Sequence, residues 1–478
     1  MTDLVVNPRF DFAAPLPQIA DLGRVHFIGI GGSGMSGIAH LYAAAGRPVS
    51  GCDGAESDTL ATLARAGVDV CVGHSPAHLD TCDTLVVSSA VPEANPELAA
   101  ARARGVRILH RAQALSIGMG ARTRVAVAGA NGKTTTSAMV ATILIGTGRD
   151  PGYAIGSPLV TTGASSGPGR GPEFVVEADE SDGSFLAYGP DVAVVTNVQP
   201  DHLDFYGDLA HVEAAYAAFA ASIRPGGLLV VDADDPGGAR LAASVGESGH
   251  RVVTYGEGPA AVVRLTGLVF DGTTSRAVLT AQNREIPIRV TAPGRHNLHN
   301  AAAALTAAWF GLGVDPEAAA RALADFAGTR RRFEIRGAVA GVTVIDDYAH
   351  NAPKVAALIA GARAVAGTGA IRVVFQPHLF SRTRDFAPAF AAGLAGADQV
   401  VLLPVYAARE APMPGVTSHL IADALAGLGR RATMASGPQD AVAALVADAN
   451  PGDLVLTVGA GDVTRLAPLV LDALARRC

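Results

Sequence analysis

Short runs of Val, Ile, Leu and Ala recur along the chain, separated by Gly- and Pro-bearing turns and by Ala-rich stretches with helical spacing. Runs such as RVHFI (24–28), RVAVA (124–128) and IRVVF (371–375) are nearly continuous in apolar residues and do not alternate, the pattern of parallel strands covered on both faces by helices. The pattern predicts an α/β protein. A first βα series takes in strands at 24–28, 48–50, 84–88 and 106–109, and a second those at 124–128, 174–177, 192–196 and 228–231. Between 262 and 291 the period changes to two around Asp271-Gly272, which predicts a small antiparallel appendage, and an Ala-rich helix follows from Asn297. A third series starts near 337 with strands at 342–345, 371–375, 400–403 and 454–458. Domain boundaries are expected near 120 and 330.

The length of 478 residues agrees with about three domains. With 37 Lys+Arg against 44 Asp+Glu and no basic stripe, the chain lacks the cations that displace phosphate counterions, so nucleic-acid binding is not expected. The apolar stretch 301–314 has 14 residues, short of a membrane span, and the N-terminus has no secretory pattern. Cys52, Cys71, Cys82 and Cys478 form no CxxC, which suits reduced thiols in a cytoplasmic protein without disulfides.

Three segments carry chemistry. Gly29, Gly31, Gly32, Ser33 and Gly34 form a glycine-rich turn between a strand and a helix, and Asp53 lies 19 residues beyond Gly34. Such a turn lets backbone approach a diphosphate at a helix N-terminus, without saying which one. GANGKTTT (129–136) follows the strand 124–128 and matches the end of a P-loop, although Val127 replaces its first glycine. Gly129, Ala130, Asn131 and Gly132 would cradle phosphates by backbone, with Lys133 and Thr135 beside them and Thr134 on Mg²⁺, which makes a nucleotide triphosphate the expected ligand. EADESD (177–182), then Thr196-Asn197 and Asp201-His202-Leu203-Asp204, place oxygen and imidazole donors after neighbouring strands, where parallel sheets bind ligands. His296 to Asn300 and the basic triplet Arg330 to Arg332 are weaker signals by themselves.

Taken in order, GIGGSGMSGIA, GANGKTTT, EADESD, TN..PDHLD, GRHNLHNAAAA, GTRRRF, DDYAH, QPHLFSRT, YAAREAP and GAGD resemble the Mur ligases over nearly the whole chain. The resemblance implies three domains: a Rossmann-like UDP-sugar domain (1–120), a central P-loop ATPase with a parallel sheet (121–329) and a Rossmann-like C-terminal domain (330–478). It also implies that the lactyl carboxylate of UDP-N-acetylmuramate takes the γ-phosphoryl of ATP, and that the amine of L-alanine attacks the acyl phosphate, in peptidoglycan precursor synthesis. Carried over by position, Lys133 would bind the outer phosphates, Thr134 and Glu177 one Mg²⁺, and His202 a second. His296 and Asn297 would lie by the adenine with Asn300 supporting them, Arg332 and Asp347 would serve phosphate and ribose, and His350 and Arg382 would hold the amino acid. The first-domain glycines and Asp53 would serve UDP. No obligate protein partner is implied.

Three departures stand out: Asn131 where the family often has His, Asn351-Ala352 in place of a second His, and Leu379 in place of a basic residue expected near the alanine carboxylate. A sibling ligase that attaches a recycled peptide to the same sugar shares much of the N-terminal pattern. A dehydrogenase would use the first glycine turn alone and leave the P-loop idle, and a UDP-sugar sensor would keep both sites without turnover.

Overall fold

A computed structural model describes residues 4, 5, 7–408 and 410–477, without the side chain of Ser33. Cys478, and Arg409 of the YAAREAP motif, therefore lie outside the described residues. The chain divides into two compact units, one of residues 1–269, 276–290 and 295–327, the other of 270–275, 291–294 and 328–478.

The first unit holds two sheets. Its N-terminal sheet has five parallel strands in the order Asp69–Val72, Val49–Asp53, Val25–Ile28, Thr84–Val87 and Arg107–His110. The central strands are fully buried, as their continuous apolar runs require. Chain order reverses about Val25–Ile28, so the glycine turn that follows it sits at a switch point, where helices diverge to opposite faces and leave a crevice.

The second sheet has ten strands, and its centre is parallel: Arg251–Gly256, Leu228–Asp232, Val192–Val195, Thr123–Ala128, Glu173–Glu177 and Gly152–Ala154. The P-loop follows the middle strand Thr123–Ala128 and opens the helix Lys133–Gly146. The expected appendage is present as Val263–Asp271, Thr274–Ala281 and Arg284–Val290, but it continues the same sheet: Val263 and Arg264 pair in parallel with Tyr255 and Gly256.

Arg124 joins the two sheets of this unit. Its guanidinium donates to Ser116 Oγ (3.0 Å), Ser116 O (3.1 Å) and Gly120 O (3.0 Å) at the end of the last N-terminal helix, and to Tyr188 O (2.7 Å) in the central region. Burial, with Arg224 nearby, holds it down to about 10, so it stays charged at neutral pH.

The other unit carries a six-stranded sheet in the order Glu334–Val339, Val342–Asp347, Leu454–Val458, Ile371–Phe375, Gln399–Leu402 and Ala432–Met434, parallel except for its first pair. Leu358, Phe375, Phe390 and Leu456 are among the apolar side chains packed on one face, and Val374, Val401 and Leu445 among those on the other.

Arg124→Ala removes a charged donor set whose acceptors are fixed, and should cost about 2 to 3 kcal/mol of stability. Urea unfolding of the full chain measures it; a loss below about 0.5 kcal/mol, the scale of an ordinary surface substitution, contradicts the joint.

Candidate functional site

The P-loop is shaped by its glycines and held by side chains from neighbouring strands. Gly129 has φ 134° and Gly132 φ 90°, and a Cβ on Gly132 would come within 2.5 Å of Asn300 Oδ1. Any other residue at these positions carries both strain and a clash. Asn131 donates its N–H to Asn197 Oδ1 (3.0 Å), and its carbonyl accepts from Thr196 Oγ1 (2.5 Å) and Asn197 Nδ2 (3.0 Å). Thr196 and Asn197 thus latch the loop, which gives the TN motif a physical role. Asn300, buried on the helix Arg295–Thr306, accepts from Thr136 Oγ1 (3.2 Å) and donates to Asn297 Oδ1 (3.3 Å), while His296 is exposed at the start of that helix.

Lys133 does not extend into solvent. Its Nζ donates to Gly129 O and to Glu180 Oε1, each at 2.7 Å, and its side chain is 15% exposed against 2% for Glu180. His202 Nε2 lies 3.7 Å from the same Glu180 oxygen, and Asp201 completes a group of possible ligand atoms within 4.8 Å of one another. Burial pushes the Glu180 carboxyl up while Lys133 pulls it back, and the net displacement is upward. Its other oxygen, Oε2, is buried without a hydrogen-bond partner. Glu177, the last residue of the strand that leads to Glu180, accepts from Thr134 Oγ1 (2.9 Å) and Gly156 N (2.7 Å). The EADESD segment is therefore built into the site and is not a solvated acidic loop. Glu180 was invisible among its acidic neighbours in sequence, since spacing cannot say which carboxylate turns inward.

A cleft of about 760 Å³ runs from the N-terminal glycine turn to these carboxylates. Gly29, Gly32, Gly34 and Asp53 line one part, Glu177, Asp179 and Asp182 another, with Arg111 between. Asp53, expected from its spacing to serve the nucleotide ligand, accepts from Gly31 N through Oδ2 (2.9 Å) and so fixes the turn. Arg111 donates to Asp179 Oδ2 (3.0 Å), and a Cβ on Gly34 would meet its Nη1 at 3.3 Å, so the guanidinium lies over the turn. It is a candidate for an anionic ligand that the motifs missed, because a single arginine opening a helix has no distinguishing pattern.

A second unanticipated residue is His299. Its Nδ1 pairs with Asp232 Oδ2 (2.8 Å) and its Nε2 with Glu257 Oε1 (2.9 Å). Burial opposes its charge, but the two carboxylates win and raise it to about 9. A protonated His299 therefore ties the helix carrying Asn297 and Asn300 to the ends of two strands.

In the other unit, Asp347 spends an oxygen on each of two backbone amides, Phe333 N and Ala349 N, both at 2.7 Å. It fixes the turn that presents Arg332. Arg382 Nη1 donates to His350 O (3.3 Å), so the two residues expected to hold an amino acid are adjacent. Burial, offset by the Tyr348 carbonyl and reinforced by Arg382, Lys354 and His378, lowers His350 to about 4. It is a neutral imidazole at physiological pH, which leaves positive charge to Arg382. Leu379 is buried at the start of the helix Phe380–Leu394.

Comparison with known proteins follows the same order along the chain. Residues 24–123 match the family model described as Mur ligase family, catalytic domain; residues 127–308 match the Mur ligase middle domain; and residues 331–461 match the Mur ligase, glutamate ligase domain. A UDP-N-acetylmuramate–L-alanine ligase of Kineococcus radiotolerans is 53% identical over 97% of this chain and 99% of its own, and one of Thermobifida fusca is 48% identical over 96% and 98%. Among solved structures, a UDP-N-acetylmuramate-alanine ligase of Thermotoga maritima superposes with a TM-score of 0.79 at 29% identity, covering 95% of this chain and 100% of that one. A murein peptide ligase of Psychrobacter arcticus gives 0.67 at 25%, covering 95% and 99%. A MurF ligase of Thermotoga maritima in complex with ADP, 18% identical with a TM-score of 0.59 and covering 100% of both chains, shares the fold. The glycine turn, the latched P-loop and the C-terminal sheet each fall within one of the three family matches, and the chain belongs to the Mur ligase family.

Proposed function

We propose that the protein joins L-alanine to the lactyl carboxylate of UDP-N-acetylmuramate at the expense of ATP, through an acyl phosphate. The observation that carries this reading is the cleft that connects a diphosphate-type glycine turn to the carboxylates beside a P-loop within one compact unit. A UDP-sugar with its diphosphate at Gly29 to Gly34 has room to extend toward Glu177, where the phosphoryl group is transferred. The relatives' names support the same substrates, and the higher structural similarity to the alanine ligase than to the murein peptide ligase favours a single amino acid as acceptor.

In this reading the backbone of Gly129 to Gly132, with Thr135, receives the ATP phosphates, and Lys133 exchanges Glu180 for their outer oxygens. His296, Asn297 and Asn300 serve the adenine side, and Arg332 and Asp347 serve phosphate and ribose. Thr134, Glu177 and His202 are a donor set suited to Mg²⁺, and the orphaned Glu180 Oε2 adds a further hard oxygen to it. Bound there, Mg²⁺ would neutralise charge on the phosphate oxygens. Phosphoryl transfer asks for alignment and charge compensation and for no protein nucleophile, which is what Lys133 and Arg332 supply. The neutral His350 positions, and Arg382 supplies the charge for the alanine carboxylate. We assign the work to 1–120 for the UDP-sugar, 121–329 for ATP and 330–478 for the amino acid. No helix among the described residues is long and apolar enough to cross a membrane, and we assign the reaction to the cytoplasm.

Phosphate release should require ATP, Mg²⁺, UDP-N-acetylmuramate and L-alanine together. Equal release without the sugar nucleotide rejects the ligase, and turnover with a tripeptide but not with alanine selects the sibling activity.

Glu180→Gln keeps the shape but removes the charge facing Lys133. It should lower kcat at least tenfold and shift the Mg²⁺ dependence while the chain stays folded. Lys133→Ala should abolish turnover and also destabilise the protein, because it strands a buried carboxylate. Wild-type kcat and Mg²⁺ saturation in Glu180→Gln contradict its place in the site.

Arg382→Ala removes a charge-assisted bond of about 1.5 to 3 kcal/mol, and should raise the alanine KM about 10-fold to 150-fold, with only partial rescue by lysine. An alanine KM within about twofold of wild type, or a defect confined to ATP or the UDP-sugar, overturns the assignment.

A further inference from the structure

Away from the transfer chemistry, the N-terminal sheet buries a polar cluster that the ligase reaction does not use. Glu97, on the helix Pro96–Arg104, is completely buried, yet its carboxylate is surrounded by donors. His78 Nδ1 lies 2.6 Å from Oε1, the Ser75 N–H donates to Oε1 (2.8 Å), and the Cys52 thiol donates to Oε2 (3.0 Å). His26 Nε2 stands 3.7 Å from Oε2, beyond hydrogen-bond reach. His74 Nδ1 is 3.2 Å from Cys52 Sγ, at the edge toward the cleft.

Two features separate this cluster from an ordinary buried network. His26 is 1% exposed and its Nε2 has no partner, although its other nitrogen is held by Ser50 Oγ at 2.9 Å. An imidazole fixed through one nitrogen, with the other aimed at a carboxylate and a thiol, has the arrangement of a metal ligand with its supporting bond in place. Second, ligand atoms of His26, Cys52, His78 and Glu97 all lie within 4.8 Å of one another. Around a tetrahedral zinc with bonds of about 2.0 to 2.3 Å, ligand atoms stand roughly 3.3 to 3.8 Å apart, so small side-chain adjustments would close the set.

We propose that His26, Cys52, His78 and Glu97 bind one Zn²⁺ ion in the N-terminal part of the first unit. The donor types suit a borderline-soft divalent ion, and not Mg²⁺. The charge also balances: one thiolate and one carboxylate against a dication leave a neutral centre, the form a buried site tolerates. Binding displaces the Cys52 thiol proton to solvent, while both imidazoles bind as neutral rings. Without metal, the Cys52 thiol is a hydrogen-bond donor to Glu97.

The site would link strands Val25–Ile28 and Val49–Asp53 to the segments Pro76–Leu79 and Pro96–Arg104. The carbonyl of Cys52 accepts from Gly29 N (2.8 Å) and Ile30 N (3.0 Å), so the ion would anchor the strand end that organises the glycine turn.

The test is a Co²⁺ titration of chelator-stripped full-length protein, followed by displacement with Zn²⁺. We expect a thiolate-to-cobalt charge-transfer band, with tetrahedral visible bands, saturating at one equivalent and lost on adding Zn²⁺. The two carboxylate–histidine groups found elsewhere among the described residues lack sulfur and give no such band. Cys52→Ser preserves a hydroxyl donor for Glu97, and should abolish the band and weaken Zn²⁺ binding about 100-fold or more. Cys71→Ser and Cys82→Ser should leave the band intact. No band at one equivalent, or a band that survives Cys52→Ser, overturns the proposal. If Cys52→Ser fails to fold, His78→Gln decides the matter: binding weakened at least tenfold supports the site, and unchanged binding rejects it.

Discussion

The P-loop half of the first unit is organised around one buried ion pair. Lys133 and Glu180 come from different strand ends, and neither is tolerated inside a protein without the other or a substitute. Their pairing holds the P-loop lysine in place before any phosphate arrives, so little side-chain order has to be created on binding. It also fixes the loop after Glu173–Glu177 against the P-loop. In the proposed reaction a phosphate entering the loop would compete for the lysine, and a cation would then take over the carboxylate. The same two charges that hold each other in the empty loop would thus become available to substrate as a matched set.

Much of the fold was readable from chain patterning, and the exceptions have physical causes. Continuous apolar runs located the buried strands of all three sheets, because a strand covered on both faces has no polar positions to disguise it. Asp69–Val72 and Ala432–Met434 lie at sheet edges and carry polar residues, so they lacked that signature. The strand Arg251–Gly256 was missed because its Arg, Thr and Tyr interrupt the run, although it is an interior strand of the central sheet. The period-two strands were recognised as antiparallel, but nothing local could reveal that they prolong the central sheet.

At the site, the legible residues were those whose backbone or spacing is constrained. The P-loop glycines and the acid that follows the glycine turn belong to this group. Glu180, Arg111 and His299 were not legible, since each acquires its role from partners 47, 68, and 67 and 42 residues away in sequence. His350 is an intermediate case: its position beside Arg382 was expected from resemblance, whereas its neutral state follows from burial and neighbouring positive charge. Its protonation depends on packing, which no motif encodes.

The joint made by Arg124 bears on how such a chain can change over generations. Three of its four bonds end on main-chain carbonyls, those of Ser116, Gly120 and Tyr188, and only one on a side chain. Carbonyl oxygens persist through any substitution that preserves the backbone path. The residues that line the cleft beside the glycine turn can therefore drift, while the registration between the two sheets is inherited almost independently of the amino acids around it.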